Sequence, residues 1–240
     1  HRLFLLGNDV VLADVAAPAH PRRGMAFADA WFDGTATLEG VVAQMVPNAS
    51  ALAECLQDVD AIAGTSATPA EIAAALPLDV VVDARMRKRD VPEDLRAMAP
   101  VVIGLGPGFT PGANCTIAIE TAWGDRLGDV LREASASRFV SNPRPLGGAG
   151  RERFVYAEEG GVWSTDARIG DSVLGGMQLG TVAGRPVHAP LSGALRGLTR
   201  SGVAVRAAQR LVEVDPSGQP ATDGLGARPM AIAAGMARAL

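Results

Sequence analysis

Cys115, Glu120 and the basic run Arg85, Arg87, Lys88 and Arg89 are the side chains best suited to chemistry, and a glycine-rich stretch lies between them. That stretch, VVIGLGPGFTPGANCTIAIET (101–121), carries Gly104, Gly106, Pro107, Gly108, Phe109 and Gly112 ahead of Cys115 and Glu120. Successive glycines let backbone amides close on an anion. GLGPGF nevertheless lacks both the Gly-Lys-Ser/Thr of a Walker loop and the G-x-G-x-x-G of a dinucleotide turn, so it names no ligand. Cys115 suits a nucleophile, a persulfide carrier or a soft metal ligand, or else an inert buried residue. The histidines, His1, His20 and His188, are scattered. With two cysteines they match no zinc spacing, and no nucleophile-elbow pattern is present. No metal site is expected.

The segment DARMRKRD (83–90) follows a β-branched run, and its arginines could grip a phosphate or carboxylate through paired hydrogen bonds. The alternative is a solvated basic loop whose charge Asp83 and Asp90 partly balance. Asp14, closing VVLAD, would suit ribose hydroxyls in a dinucleotide-binding βαβ unit if a glycine loop lay upstream of His1. An acid that ends a strand is more often a solvated turn residue. Arg22 and Arg23, after Pro18 and Pro21, form a second basic pair.

These residues need strands and turns to place them. HRLFLLG reads as the end of a helix and VVLAD (10–14) as a strand, with a further strand and loop expected upstream. Pro69 and Glu71 mark a helix start in PAEIAAALP and Pro77 its end. DVVVDARM reads as a strand buried on both faces. PEDLRAMAP is a short helix or turn, VVIGLG a strand and DRLGDVLREAS an amphipathic helix. Strands alternating with helices predict an α/β, Rossmann-like parallel sheet over 1–148, its ligand at the carboxyl ends of the strands.

Beyond that point the period changes. At an offset of 32 residues Ala157 falls on Ala189, Gly161 on Gly193, Gly170 on Gly202, Val173 on Val205, Leu179 on Leu211 and Val182 on Val214. The repeat predicts a small two-fold β-domain over 149–218, with a C-terminal helix (219–240) packing back on the α/β domain. IGDSVLGGMQLGTV (169–182) and VHAPLSGALRGLTRSGVAV (187–205) resemble the barrel-sandwich hybrid of biotinyl and lipoyl carriers. Such carriers present a lysine on the hairpin between the halves. Here that hairpin is AGRP (183–186) and the only lysine of the chain is Lys88, so no biotin or lipoate is expected.

Taken together, PRRGMAFADAWFDG (21–34), DVVVDARMRKR (79–89), APVVIGLGPGFTPGANCTIAIET (99–121), WGDRLGDVL (123–131), VEVDPSG (212–218) and ARPMAIAAGMARAL (227–240) resemble the YqeB-type family of accessory proteins in selenium-dependent molybdenum hydroxylase systems. Thr116 and Asp125-Arg126 depart from that family's pattern. The resemblance implies a maturation factor that binds the molybdenum cofactor (molybdopterin, an anionic pterin) or a nucleotide. Its partners would be a molybdenum hydroxylase or its maturation machinery, with homo-oligomers compatible. On that reading Asp83, Arg85 to Arg89 and Gly104 to Phe109 line an anion crevice with Glu120 at its rim. Two alternatives stand beside it: an enzyme acting on the cofactor, by sulfur transfer through Cys115 or with a nicotinamide, and a docking scaffold without chemistry.

Bulk properties bound these readings. The 240 residues are 48% hydrophobic with a net charge of −4 and a pI near 5.4, which gives no basis for nucleic-acid binding. Apolar runs fall well short of the ~20 residues a membrane span needs. So few cysteines suit a reducing cytoplasm.

Overall fold

The computed structural model describes residues 1–58, 60–87, 90–140 and 143–240. The chain forms two compact units, one of His1–Ala13, Val46–Ser141 and Gly226–Leu240, the other of Asp14–Met45 and Asn142–Leu225. In chain order the first half carries α1 (Arg2–Leu5), β1 (Val11–Ala13), α2 (Ala30–Asp33), β2 (Thr35–Leu38), β3 (Val41–Met45), α3 (Leu52–Asp58), β4 (Ile62–Thr65), α4 (Pro69–Ala75) and β5 (Val80–Asp83). There follow β6 (Val101–Leu105), β7 (Ile117–Ile119), β8 (Val130–Leu131), β9 (Phe154–Tyr156), β10 (Gly161–Ser164), β11 (Ser172–Val173) and β12 (Gln178–Val182). The chain closes with β13 (Arg185–His188), β14 (Gly193–Leu198), β15 (Ala204–Val205), β16 (Arg210–Asp215) and α5 (Ala227–Ala239).

In the first unit β1 and β4 pair in parallel, and β5, β6 and β7 form a second parallel set to which β8 adds antiparallel. The β-branched runs alternate faces, as a strand's two-residue period requires. Val102 and Ala118 face Phe109, Cys115 and Leu131. Ile103, Leu105, Ile117 and Ile119 face Ile232, Met236 and Ala239 of α5. The valines of β5 are only half-buried, because β5 is the edge of its sheet. The expectation for β5 is therefore corrected: the strand covered on both faces is β6. Parallel strands need a long crossover that is usually helical, yet β6 reaches β7 through the loop 106–116 with no helix.

Helix α4 begins as its sequence requires. Thr68 and Glu71 form a reciprocal capping box with Pro69 in the first turn, which satisfies otherwise orphaned amides. The helix expected in DRLGDVLREAS does not form. Turns lead instead into β8, and Gly128 adopts φ 86°. A Cβ on Gly128 would lie 2.4 Å from the Ala231 carbonyl, and one on Gly235 would lie 2.2 Å from the Gly128 carbonyl. The segment's glycine thus serves close approach of α5, where helix propensity would have predicted a turn of its own.

The second unit holds two antiparallel four-stranded sheets, ordered β13-β12-β10-β15 and β11-β14-β16-β9. Adding 32 to the numbers of β9, β10, β11 and β12 lands on β13, β14, β15 and β16. The same exchange turns one strand order into the other read backwards, so the repeat seen in the sequence is a repeat of strands. Its core gathers Trp163, Leu179, Val182, Leu195, Leu198, Val203, Leu211 and Val214. The indole of Trp163 donates to the Thr199 carbonyl at 2.9 Å. Residues 14–45, which the sequence groups with the first domain, belong here. Phe32 packs on this core, and arginines on either side of the sequence gap tie the segment down, Arg200 to Asp33 and Arg22 to Glu213. Among the described residues no helix is long and apolar enough to cross a membrane.

Candidate functional site

The carboxyl ends of β5 and β6 lie side by side, since Asp83 pairs with Gly104 in the parallel ladder. Asp83 is buried. Its Oδ1 accepts from the Arg85 amide at 3.1 Å and from Arg85 Nε at 3.0 Å. Burial pushes the Asp83 carboxyl up, but the hydrogen bonds and charge of Arg85 outweigh it and leave the group below its ordinary value. Arg85 reaches Glu93 at 3.0 Å and Arg87 reaches the other oxygen of Glu93 at 3.2 Å. Two guanidinium groups therefore converge on one carboxylate that is 57% exposed. Lys88 and Arg89 lie outside the described residues.

The glycines are brought to the same strand ends, and each leaves room for a specific neighbour. A Cβ on Gly104 would lie 2.1 Å from the Phe109 ring, one on Gly106 2.6 Å from Thr121 Oγ1, and one on Gly108 2.8 Å from Pro92 Cδ. Gly106 and Gly108 have φ of 90° and 89°, where only glycine is unstrained. The loop is braced by Asn114, whose Oδ1 accepts from the Thr110 amide at 2.9 Å while Nδ2 donates to the Gly108 carbonyl at 3.0 Å. Phe109 is buried over Gly104, Pro107 is half-buried, and Gly108 is the exposed member of the set.

Cys115 is fully buried in the same core. Burial pushes its thiol up to about 11, the opposite of what a nucleophilic thiolate needs. Glu120 lies inside the unit and not at a rim. Its Oε1 accepts from the Thr121 and Ala122 amides, both at 2.7 Å, and its Oε2 from the Ser137 amide at 2.8 Å. Burial raises this carboxyl, and the hydrogen bonds from Ser137, Ala122 and Thr121 more than reverse that. The residue fastens a loop. Asp14, in the other unit, is exposed one residue past β1, where its Oδ1 accepts from the Val15 amide at 2.8 Å.

The second unit contains a charge cluster that its sequence does not single out. Glu213 is fully buried on β16, opposite Gly197 of β14 and Phe154 of β9. Arg22 holds it through two hydrogen bonds, and Nε of Arg153 and Nη1 of Arg196 both reach its Oε1, at 3.2 and 3.1 Å. Burial drives the Glu213 carboxyl up, yet the hydrogen bonds and charges of Arg22, Arg196 and Arg153 bring it below its ordinary value. The one local clue is the acid inside the apolar run RLVEVD, since a charge there must be paired when the strand is buried. Among the described residues no three His, Cys, Asp or Glu side chains gather in a metal-ligating group.

No protein-family model matches the chain. It is 34% identical over 221 residues to the uncharacterized protein YqeB of Escherichia coli (strain K12), across 92% of this chain and 40% of that protein. This similarity supports a YqeB-type family. The chain spans less than half the length of that relative.

Proposed function

We propose, on the likeness to YqeB and on the site geometry together, that this chain is a cytoplasmic accessory protein that binds an anionic cofactor during maturation of a molybdenum hydroxylase. The ligand class is a phosphate-bearing pterin, such as molybdopterin, or a nucleotide. The single observation that carries the reading is the convergence of Arg85 and Arg87 on Glu93 at the carboxyl ends of two parallel strands. That edge is where open α/β sheets hold ligands, which also favours a Rossmann-like reading of the first unit. Guanidinium forks match phosphate geometry. An exposed glutamate is a competitor that a dianion can displace, because surface pairs are well solvated. Gly108, exposed beside Pro92, would complete the edge. Phe109 is buried and offers no stacking face. When bound, a molybdopterin would bring its own metal-ligating and redox chemistry, and the arginines would hold only its phosphate. The second unit reads as a barrel-sandwich hybrid from its two interchangeable sheets, without a carrier lysine in the Ala183-Gly184 turn.

Sulfur transfer through Cys115 is less favoured, because the thiol is buried and its pKa is raised. The test is native mass spectrometry of the full-length protein from its own host. A copurifying pterin or nucleotide that is lost in Arg85→Ala/Arg87→Ala with the fold intact is the expected result. Retention of the same ligand by that double variant would overturn the assignment of the site, and a protein that carries no such ligand would overturn the function.

A further inference from the structure

Around Glu213 the second unit gathers three guanidinium groups on one carboxylate; Arg153 also donates through Nη1 to the Ala149 and Gly150 carbonyls, so the donors left over belong mainly to Arg196 and Arg22. Arg153 is 5% exposed and Arg196 13%, so neither is bathed in solvent, whereas Arg22 at 34% reaches the surface. The remaining acids nearby are already engaged. Asp29 and Asp33 pair with Arg23 and Arg200, and Asp215 accepts from the Ser217 amide at 2.8 Å.

The donors are not used up. Arg196 spends Nη1 on Glu213 and Nη2 on the Met25 sulfur at 3.6 Å, a weak acceptor. Its Nε is buried and has no hydrogen-bond partner among the described residues, and the same is true of Arg210 Nε. The Arg210 guanidinium lies 4.2 Å over the Phe154 ring, which Arg153 also covers at 4.2 Å. Stacking of that kind leaves the in-plane N–H edge free for an acceptor. Burial lowers the His20 pKa, and the charges of Arg22 and Arg210 lower it further against the opposing charge of Asp14.

An anchoring role alone does not account for this. The segment Pro21–Arg23 is already fastened to β14, by the Leu198 amide donating to the Pro21 carbonyl at 2.7 Å and by Arg23 Nε donating to the Leu198 carbonyl at 3.0 Å. Buried cations in excess of their counter-charge are costly, and a buried donor without an acceptor adds to that cost. A second anion would relieve both. We propose that the arginine group around Glu213, with Arg196 and Arg22 as its principal donors, binds a phosphate group, free or on a small phosphorylated ligand. Glu213 aligns the guanidinium forks and the ligand takes the edges that Glu213 leaves unmet.

The site is separate in sequence and in unit from Arg85 and Arg87, so the two readings fail independently. The full chain is titrated calorimetrically with inorganic phosphate and, separately, with guanosine monophosphate, with circular dichroism confirming the fold of each variant. Saturable binding is expected, and phosphate alone or the nucleotide alone identifies the source of the group. Arg196→Gln weakens it at least tenfold. Arg22→Lys, which keeps the charge but loses the fork, weakens it severalfold and serves if Arg196→Gln does not fold. The titrations are repeated in the Arg85→Ala/Arg87→Ala background, which removes any binding at the first site, and there the losses caused by Arg196→Gln and Arg22→Lys persist. The proposal is overturned if neither probe binds saturably, if the folded Arg196 and Arg22 variants keep wild-type affinity, or if only the Arg85/Arg87 double variant loses binding.

Discussion

Arg22 holds Glu213 across 191 positions of sequence, from Nε to Oε2 at 2.5 Å and from Nη2 to Oε1 at 2.9 Å. The pair fixes where Pro21–Arg23 crosses β14 and β16, because the Arg22 stem lies over Gly197, whose added Cβ would sit 3.4 Å from Arg22 Cγ. Arg153 and Arg196 complete the cluster from β9's entry turn and from β14. Glu213→Gln removes the only carboxylate these three guanidinium groups share among the described residues. A loss of about 3–5 kcal/mol is expected, as for a buried pair deprived of one member, read as a lower urea midpoint with an unchanged slope.

The same carboxylate sets an acid limit. Its pKa in the folded chain lies below the ordinary 4.5, so the folded state binds fewer protons than the unfolded chain in that range. Its contribution is complete above about pH 4.5 and is lost as the pH falls through the depressed value. Asp83, lowered from 3.8 under Arg85, acts in the same direction at lower pH. The Tm of the wild type should therefore fall steeply below pH 4.5, and that of Glu213→Gln less steeply. Parallel curves for the two proteins would refute the assignment.

Gly104 is reserved for an aromatic ring. With a Cβ placed 2.1 Å from Phe109, Gly104→Ala should destabilise by about 1–3 kcal/mol through overpacking. Phe109→Ala alone opens a cavity costing about 3–5 kcal/mol. In the double variant the two losses should sum to less than their total, because the clash disappears with the ring. Full additivity in denaturant melts would mean that the residues are not in contact.

Cys115 should behave as a core residue. With its thiol raised to about 11 and no exposed surface, it should resist iodoacetamide at pH 8 in the folded protein. Cys55 is partly accessible. Intact-mass measurement should show one label on the native chain and a second only after unfolding in guanidinium. Rapid double labelling of native protein would reopen a nucleophilic role for Cys115.

Local chemistry was enough for the elements whose signals are local. Pro69 and Glu71 announce α4 because they belong to a capping box that closes within the four residues Thr68 to Glu71, and the offset of 32 residues marks four pairs of strands because each half must bury the same face. The DRLGDVLREAS segment failed for the opposite reason. Its helical period is real, but Gly128 gives way to the backbone of α5, more than a hundred residues on.

At the candidate sites the division is sharper. Composition and spacing by themselves put Asp83, Arg85, Arg87 and the glycines each at or after a β-branched run that reads as a strand, whereas the pairing of Asp83 with Gly104 is what makes those strand ends adjacent. Only the tertiary structure decided what the glycines are for. Three backbone positions that read as an anion cradle accommodate Phe109, Thr121 and Pro92, because a missing Cβ admits a side chain as readily as a ligand. Only the tertiary structure could assemble Arg22, Arg153 and Arg196 on Glu213, for ion pairing depends on distance in space and leaves no period along the chain.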